Sequence, residues 1–178
     1  DNLRASRNKL EKRTRIMAET MKGLKRSHRC TELSAANVGE VVTVMGWVQK
    51  SRNKGGIIFT DLRDRSGLLQ MIFEQGDDAS CSVDAETFVK AESLRSEFVI
   101  AVVGKVTSRE GNTNENMKTG AIEIRATQLR ILSEAQTPPF PIEADSKTKE
   151  DLRLKYRYLD LRRPDLQKNI MLKSKVMM

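Results

Sequence analysis

The sequence predicts a mostly β domain with one helix, built as a small five-stranded barrel, and three observations carry that prediction. Five β-rich runs lie between residues 41 and 132, and one amphipathic run falls between the third and the fourth. Turn-forming Gly, Asp, Asn and Ser separate them. Apolar residues make up 38% of the 178, enough for one core.

Each element follows from its own residues. Val41-Val42-Thr43-Val44-Met45-Gly46-Trp47-Val48 is β-branched and long enough for a strand. Gln49 to Gly56 reads as a polar loop, whose Gly55-Gly56 pair suits a tight return. Ile57 to Leu62 is the second strand and Leu68 to Phe73 the third, joined by the turn Arg63-Asp64-Arg65-Ser66-Gly67. Val83 to Arg95 predicts a helix with Ala85, Phe88, Val89 and Leu94 roughly on one face and Ser82 or Asp84 as N-cap. Phe98 to Val106 and Ile122 to Leu132 are further strands, flanking an Asn-rich loop from Ser108 to Gly120. The order β-β-β-α-β-β is that of the OB-fold.

On this reading the barrel domain spans 27–132. Residues 1–26 form a basic N-terminal extension in which Leu3, Leu10, Met17 and Leu24 lie seven apart, compatible with a disordered tail or a thin amphipathic helix. Residues 133–150 hold Pro138, Pro139 and Pro141 and read as a linker or hinge. Residues 151–178 read as the truncated opening of another domain, with a second helical stretch starting at Pro164.

Charge is distributed unevenly. The chain carries +8 overall, yet residues 27–146 hold thirteen basic and seventeen acidic residues, net −4. The positive excess belongs to the flanks, so recognition of an acidic partner by the barrel has to rest on a few placed residues. No run approaches the roughly 20 apolar residues of a membrane span. The first residues carry no apolar signal core, and Cys30, Cys81 and His28 make neither a disulfide framework nor a four-ligand zinc site. A reducing, cytoplasmic location is expected, with no metal. Phosphate-binding loops and hydrolase or protease signatures are absent from the sequence, and no catalytic residue is assigned.

Binding residues are easier to name. Alternation in Ile57–Leu62 puts Ile58, Thr60 and Leu62 on one face and Ile57, Phe59 and Asp61 on the other. If the charged Asp61 points outward so does Phe59, which then offers a stacking platform for a nucleic-acid base; the alternative places Phe59 in the core under a loop. Gln70 is the one polar residue of its strand and carries the donor and acceptor needed at a base edge. Arg52 stands in the preceding loop, and Asn112, Asn114 and Asn116 supply amides in the long one.

At this point the residues carry a family resemblance. HRCTELSAANVGEVVTVMGWVQKSRNKGGIIFTDLRDRSGLLQMIF (28–73), LRSEFVIAVVGKV (94–106), NENMKTGAIEI (114–124), TPPFPIE (137–143) and above all RLKYRYLDLRRP (153–164) resemble the N-terminal part of bacterial-type, class IIb aspartyl-tRNA synthetases. The resemblance runs from about residue 25 to the end. It implies an anticodon-binding OB-fold, a hinge and the opening of a class II catalytic domain. It assigns stacking of the middle anticodon base to Phe59, reading of that base to Arg52 and Gln70, the first anticodon base to Glu123, and loop positions near the anticodon to Asn112 and Asn114. Lys54 and Gly111 fall where the family tells aspartate tRNA from asparagine tRNA.

Departures from the family are visible. Lys50-Ser51-Arg52-Asn53 keeps two of three usual basic residues, Ala121 stands where an acid is usual, and the loop at Ser108–Gly111 is one residue short. The resemblance further implies a homodimeric parent enzyme that uses ATP and Mg2+ to charge tRNA(Asp), and a fragment without cofactor, monomeric or dimeric, that binds the anticodon stem-loop without catalysing. A lysine or asparagine synthetase is the nearer rival, and a stand-alone OB module for single strands or a protein the more distant one.

Overall fold

The computed structural model describes residues 18–178 apart from 77, 79, 110, 112, 116 and 145. The chain divides into two compact units, with the boundary between Thr137 and Pro138 inside the Pro-rich stretch.

The first unit is a closed barrel. Its strands are β1 (Val41–Lys54), β2 (Ile57–Arg63), β3 (Leu68–Glu74), β4 (Val99–Ser108) and β5 (Ile122–Ser133), closing in the order β1-β2-β3-β5-β4. Four neighbouring pairs are antiparallel, and the barrel closes through a short parallel contact in which Met71 and Ile72 of β3 face Ile124 and Arg125 of β5. Alternation sends Val42, Val44, Ile58, Leu62, Leu69, Met71, Phe73, Ile100, Val102, Ile124 and Ile131 inward to one core. Closure leaves no long free strand edge and fixes which face of each strand meets water.

Two boundaries differ from the sequence reading. β1 continues through the expected loop to Lys54, because its first half pairs with β4 and its second half with β2, up to Lys54 opposite Ile57. Trp47 pairs with both neighbours, and a register shift between Val48 and Lys50 lies just beyond it in the ladder to β2. Beyond it the polar residues of 50–54 occupy a strand whose outer face is wet, which is why their composition reads as loop. Gly55 and Gly56 close the hairpin at φ +61° and +90°, a left-handed pair that two-residue returns demand.

The helix is shorter than expected. α1 (Ala85–Glu92) is capped by Asp84, whose carboxylate accepts from the Thr87 N–H at 2.7 Å. Ala91 and the following Leu94 are buried and Phe88 packs against the core, whereas Val89, expected on the same face, is 64% exposed. An 8-residue helix over a barrel end buries a narrower stripe than its apolar residues allow.

Residues 18–26 form no helix. The Glu19 N–H donates to the Ile131 carbonyl at 2.8 Å, its carboxylate accepts from the Ile131 N–H and from Lys90 Nζ, and Arg130 donates to the carbonyls of Thr20 and Lys22. Pairing to β5 draws this stretch out, so the helical alternative fails there; Leu3, Leu10 and Met17 lie outside the described residues. Further on, the Asp64 carboxylate gathers Ser66, Gly67 and the Cys30 N–H, clipping the β2–β3 turn to the chain that leads into β1. Burial pushes the Asp64 carboxyl up, but these donors hold it below the usual carboxylate range.

The second unit contains α2 (Glu150–Lys155), α3 (Arg157–Asp160) and α4 (Pro164–Met177). Its center is Asp160, fully buried, which accepts from Arg153 Nε at 2.9 Å, Arg157 Nη1 at 2.6 Å and Arg163 Nη1 at 3.2 Å. Hydrogen bonding from Arg153 holds the Asp160 carboxyl below its ordinary value. Three of the four arginines of RLKYRYLDLRRP thus converge on that motif's own aspartate. Among the described residues no helix is long and apolar enough to cross a membrane, and no cluster of three or more metal-ligating side chains occurs.

The β4–β5 approach generates a stability prediction. A Cβ on Gly104 would lie 2.3 Å from the Arg125 carbonyl oxygen and 2.9 Å from the Ala126 Cα, both backbone atoms that cannot swing away. Gly104→Ala should therefore lower the unfolding free energy by about 1–3 kcal/mol, read as a lower urea midpoint at unchanged slope.

Candidate nucleic-acid interface

The outer face of β1, β2, β3 and β5 is laid out in cross-strand rows, since residues directly opposite one another share a face. Arg52 lies opposite Phe59, Phe59 opposite Ile72, and Ile72 opposite Arg125. One row over, Lys50 lies opposite Asp61 and Asp61 opposite Gln70; on the other side Lys54 lies opposite Ile57 and Ile57 opposite Glu74. The inward positions Ile58, Thr60 and Leu62 are at most 1% exposed, so the outward phase of Phe59 is set by its own neighbours. Phe59 stands half-buried in a cleft of about 650 Å³, lined also by Arg52, Lys54, Gln70, Arg109, Glu123 and Arg125.

Three arginine–carboxylate pairs organise the charge. Arg52 meets Asp61 at 3.3 Å, Arg125 meets Glu74 at 3.0 Å, and Arg109 meets Glu123 at 3.6 Å. The cleft lining holds four cations (Arg52, Lys54, Arg109, Arg125) and two carboxylates (Glu74, Glu123), a local +2 within a stretch, residues 27–146, that is net −4. Of the three pairs Arg109 and Glu123 are deepest, with side chains 13% and 12% exposed, and Arg109 Nη1 is a buried donor without a hydrogen-bond partner among the described residues. A buried unsatisfied donor is costly, so this one is poised for an acceptor brought by a ligand. Burial pushes the carboxyls of Asp61 and Glu123 above their ordinary values, against the pull of the neighbouring cations.

The residues expected to bind are distributed as follows. Arg52, Lys54, Phe59, Gln70 and Glu123 all line the cleft, with Gln70 and Ile72 forming a floor only 6% exposed. Asn114 and Gly111 belong to the β4–β5 loop and are not among the lining residues; Gly111 is exposed at φ +74°. Asn112 lies outside the described residues. Sequence reasoning passed over Arg109, Arg125 and Glu74. Arg125 is two positions after Glu123 on β5, and that spacing alone places it on the same face.

Residues 42–132 match the family described as OB-fold nucleic acid binding domain, which is more than half of the chain. The chain belongs to this family. Among curated relatives it is 74% identical over 160 residues to an aspartate–tRNA(Asp/Asn) ligase of Lachnoclostridium phytofermentans and 66% identical over 161 residues to an aspartate–tRNA ligase of Agathobacter rectalis. Each alignment covers 90% of this chain and 26% of the relative, so the chain spans about a quarter of the length of these enzymes. Among solved structures it is similar to the asparaginyl-tRNA synthetase of Pyrococcus horikoshii complexed with asparaginyl-adenylate, with a TM-score of 0.71 and 26% identity over 87% of this chain and 33% of that one. The OBody AM3L09 bound to hen egg-white lysozyme shares the fold, with a TM-score of 0.53 and 22% identity, covering 62% of this chain and 98% of its own.

The raised Glu123 carboxyl has a measurable consequence. Its folded-state pKa lies above the unfolded one, so the folded chain holds the proton more tightly and this group favours folding increasingly as pH falls through that window. The stability of the natural protein relative to Glu123→Gln should therefore rise as pH falls through the range just above 4.5, the ordinary glutamate value. Urea unfolding of both proteins across that range measures it; a difference independent of pH would contradict the assignment.

Proposed function

We propose that the barrel binds the anticodon loop of tRNA(Asp) and that the protein to which it belongs attaches aspartate to that tRNA. The observation that carries this reading is the row running through Phe59: an outward aromatic with a guanidinium on the next strand and the Gln70 amide on the cleft floor. A base stacked on Phe59 turns its edge toward Arg52 and Gln70, which supply hydrogen bonds matched to one base. The middle anticodon base takes this place. The first base meets Glu123, whose carboxylate accepts N–H donors from a guanine edge while Arg109 offers its Nη1, unpartnered among the described residues. The family resemblance assigns Asn112 and Asn114 to the neighbourhood of the anticodon, and Lys54 and Gly111 bear on the choice between aspartate and asparagine tRNA, a choice on which the names of the two relatives differ.

The catalytic step belongs to the remaining length of the enzyme, which works as a homodimer in the cytoplasm and uses ATP with Mg2+ to activate aspartate. The barrel's own task needs no cofactor. Its selectivity comes from differential pairing: a wrong middle base leaves buried polar groups of the cleft unmatched, which is more costly than a missing attraction.

An RNA hairpin with the anticodon G-U-C should bind the 178-residue chain, and Phe59→Ala should weaken it by about 1–3 kcal/mol. Replacing the middle uracil should weaken binding to the natural protein far more than to the Phe59→Ala variant. Equal binding of both hairpins to the natural protein would sink the anticodon reading. Affinity should also decline as pH falls and Glu123 takes up a proton, in the opposite direction to its effect on folding; a Glu123→Gln protein should lose that part of the decline.

A further inference from the structure

We infer that Arg125 is an RNA-backbone contact, a phosphate anchor that fixes the strand beside the stacking site without reading sequence. The inference rests on the anticodon reading of the same cleft and adds a residue that the family resemblance leaves unassigned. Along the central row the side chains run Arg52, Phe59, Ile72, Arg125: cation, aromatic, apolar floor, cation. At ~4.8 Å per strand, Arg125 stands roughly 10 Å from Phe59 across Ile72. A nucleotide is itself an apolar plate with an anion at its edge. With its base on Phe59 and Ile72, its sugar and phosphate leave the plate at one end, where an arginine side chain can reach them.

The other cations of the cleft are differently disposed. Arg109 is deep and tied to Glu123, and Arg52 is beside the ring and tied to Asp61, so both face base edges. Arg125 is about as exposed as Arg52, but it stands on the far side of Ile72 from the ring, and its partner Glu74 is as exposed as it is, at 38% each, whereas Asp61 beside Arg52 is 19% exposed. A pair so exposed is weak and screened by salt, so exchange of the Glu74 carboxylate for a phosphate opposes little resistance. The incoming group offers the same geometry with more charge, and a guanidinium accepts it through two parallel hydrogen bonds. Glu74 then acts as a placeholder that keeps Arg125 extended over the floor before RNA arrives.

The test is the salt dependence of hairpin binding by the full chain, with the matched G-U-C hairpin and one altered at the middle base. Arg125→Gln should weaken both hairpins by the same factor and reduce the slope of log affinity against log salt by about 0.7, the value for one single-strand phosphate contact. Arg125→Lys should keep the slope while losing part of the affinity, since a point charge replaces a fork. Glu74→Gln should tighten binding by about two- to fivefold by releasing the guanidinium. Unchanged affinity and slope in Arg125→Gln, with Phe59→Ala still impaired, would overturn the anchor and leave Arg125 a surface pair. A loss confined to one hairpin would overturn it as well, making Arg125 a base reader. If the natural chain ignores both hairpins, the anticodon reading falls and the anchor with it.

Discussion

Closure of the barrel around one apolar core is the constraint on which the rest of the molecule depends. Each strand has a period of two, so committing Ile58, Thr60 and Leu62 to the interior obliges Ile57, Phe59 and Asp61 to face out. A slip of one residue in β2 would exchange the two sets, burying Asp61 and exposing two large aliphatic side chains. The Gly55-Gly56 return at one end and the Asp64 turn at the other, with its three local donors, guard against that slip. The interface is therefore a by-product of core packing: the aromatic is presented because its neighbours are buried. Its rigidity comes from the same source, and a rigid platform loses less entropy when a base stacks on it.

Electrostatics act within that frame. The stretch 27–146 is net acidic and so a poor general attractor of nucleic acid, yet it carries a small positive cleft. Pairing every cleft arginine with a carboxylate keeps the guanidinium groups extended and oriented, but also blunts their charge toward distant phosphates. The combination favours short-range matching over long-range attraction. The depth of each pair grades its role: the nearly buried Arg109–Glu123 pair is held by desolvation and is hard to separate, while the exposed Arg125–Glu74 pair opens readily. Raised carboxyls at Asp61 and Glu123 belong to the same grading, since both sit where water is scarce.

The second unit follows a different logic. It is short, and α4 leaves Ile170, Met171, Leu172 and Val176 exposed, so little apolar burial holds it. A buried aspartate shared by three arginines takes over part of that task, with Arg163 also bonding the Glu143 carbonyl and Asp165. An ion cluster of this kind specifies geometry more than it adds stability. The basic excess of this end of the chain is thereby partly explained as architecture.

Much of this was legible in the sequence. The succession of strands, the position of the helix and the candidacy of Phe59, Gln70 and Arg52 follow from local periodicity and residue type, because alternation and turn chemistry act over a few residues. That Phe59 faces outward rather than into the core is open in the sequence and decided by the burial of Ile58, Thr60 and Leu62. Glu123 came from family resemblance alone, since one acid in a strand has no local mark. Only the tertiary structure decided the rest. It carried β1 on to Lys54, because a polar run becomes a strand when β2 supplies the hydrogen bonds. It tied Glu19, Thr20 and Lys22 to β5 and left Val89 in solvent. It also brought Arg125 to Glu74, 51 residues away, through a two-residue parallel contact that closes the barrel. Pairings of that kind depend on which strands become neighbours, and that is settled by the packing of the whole core.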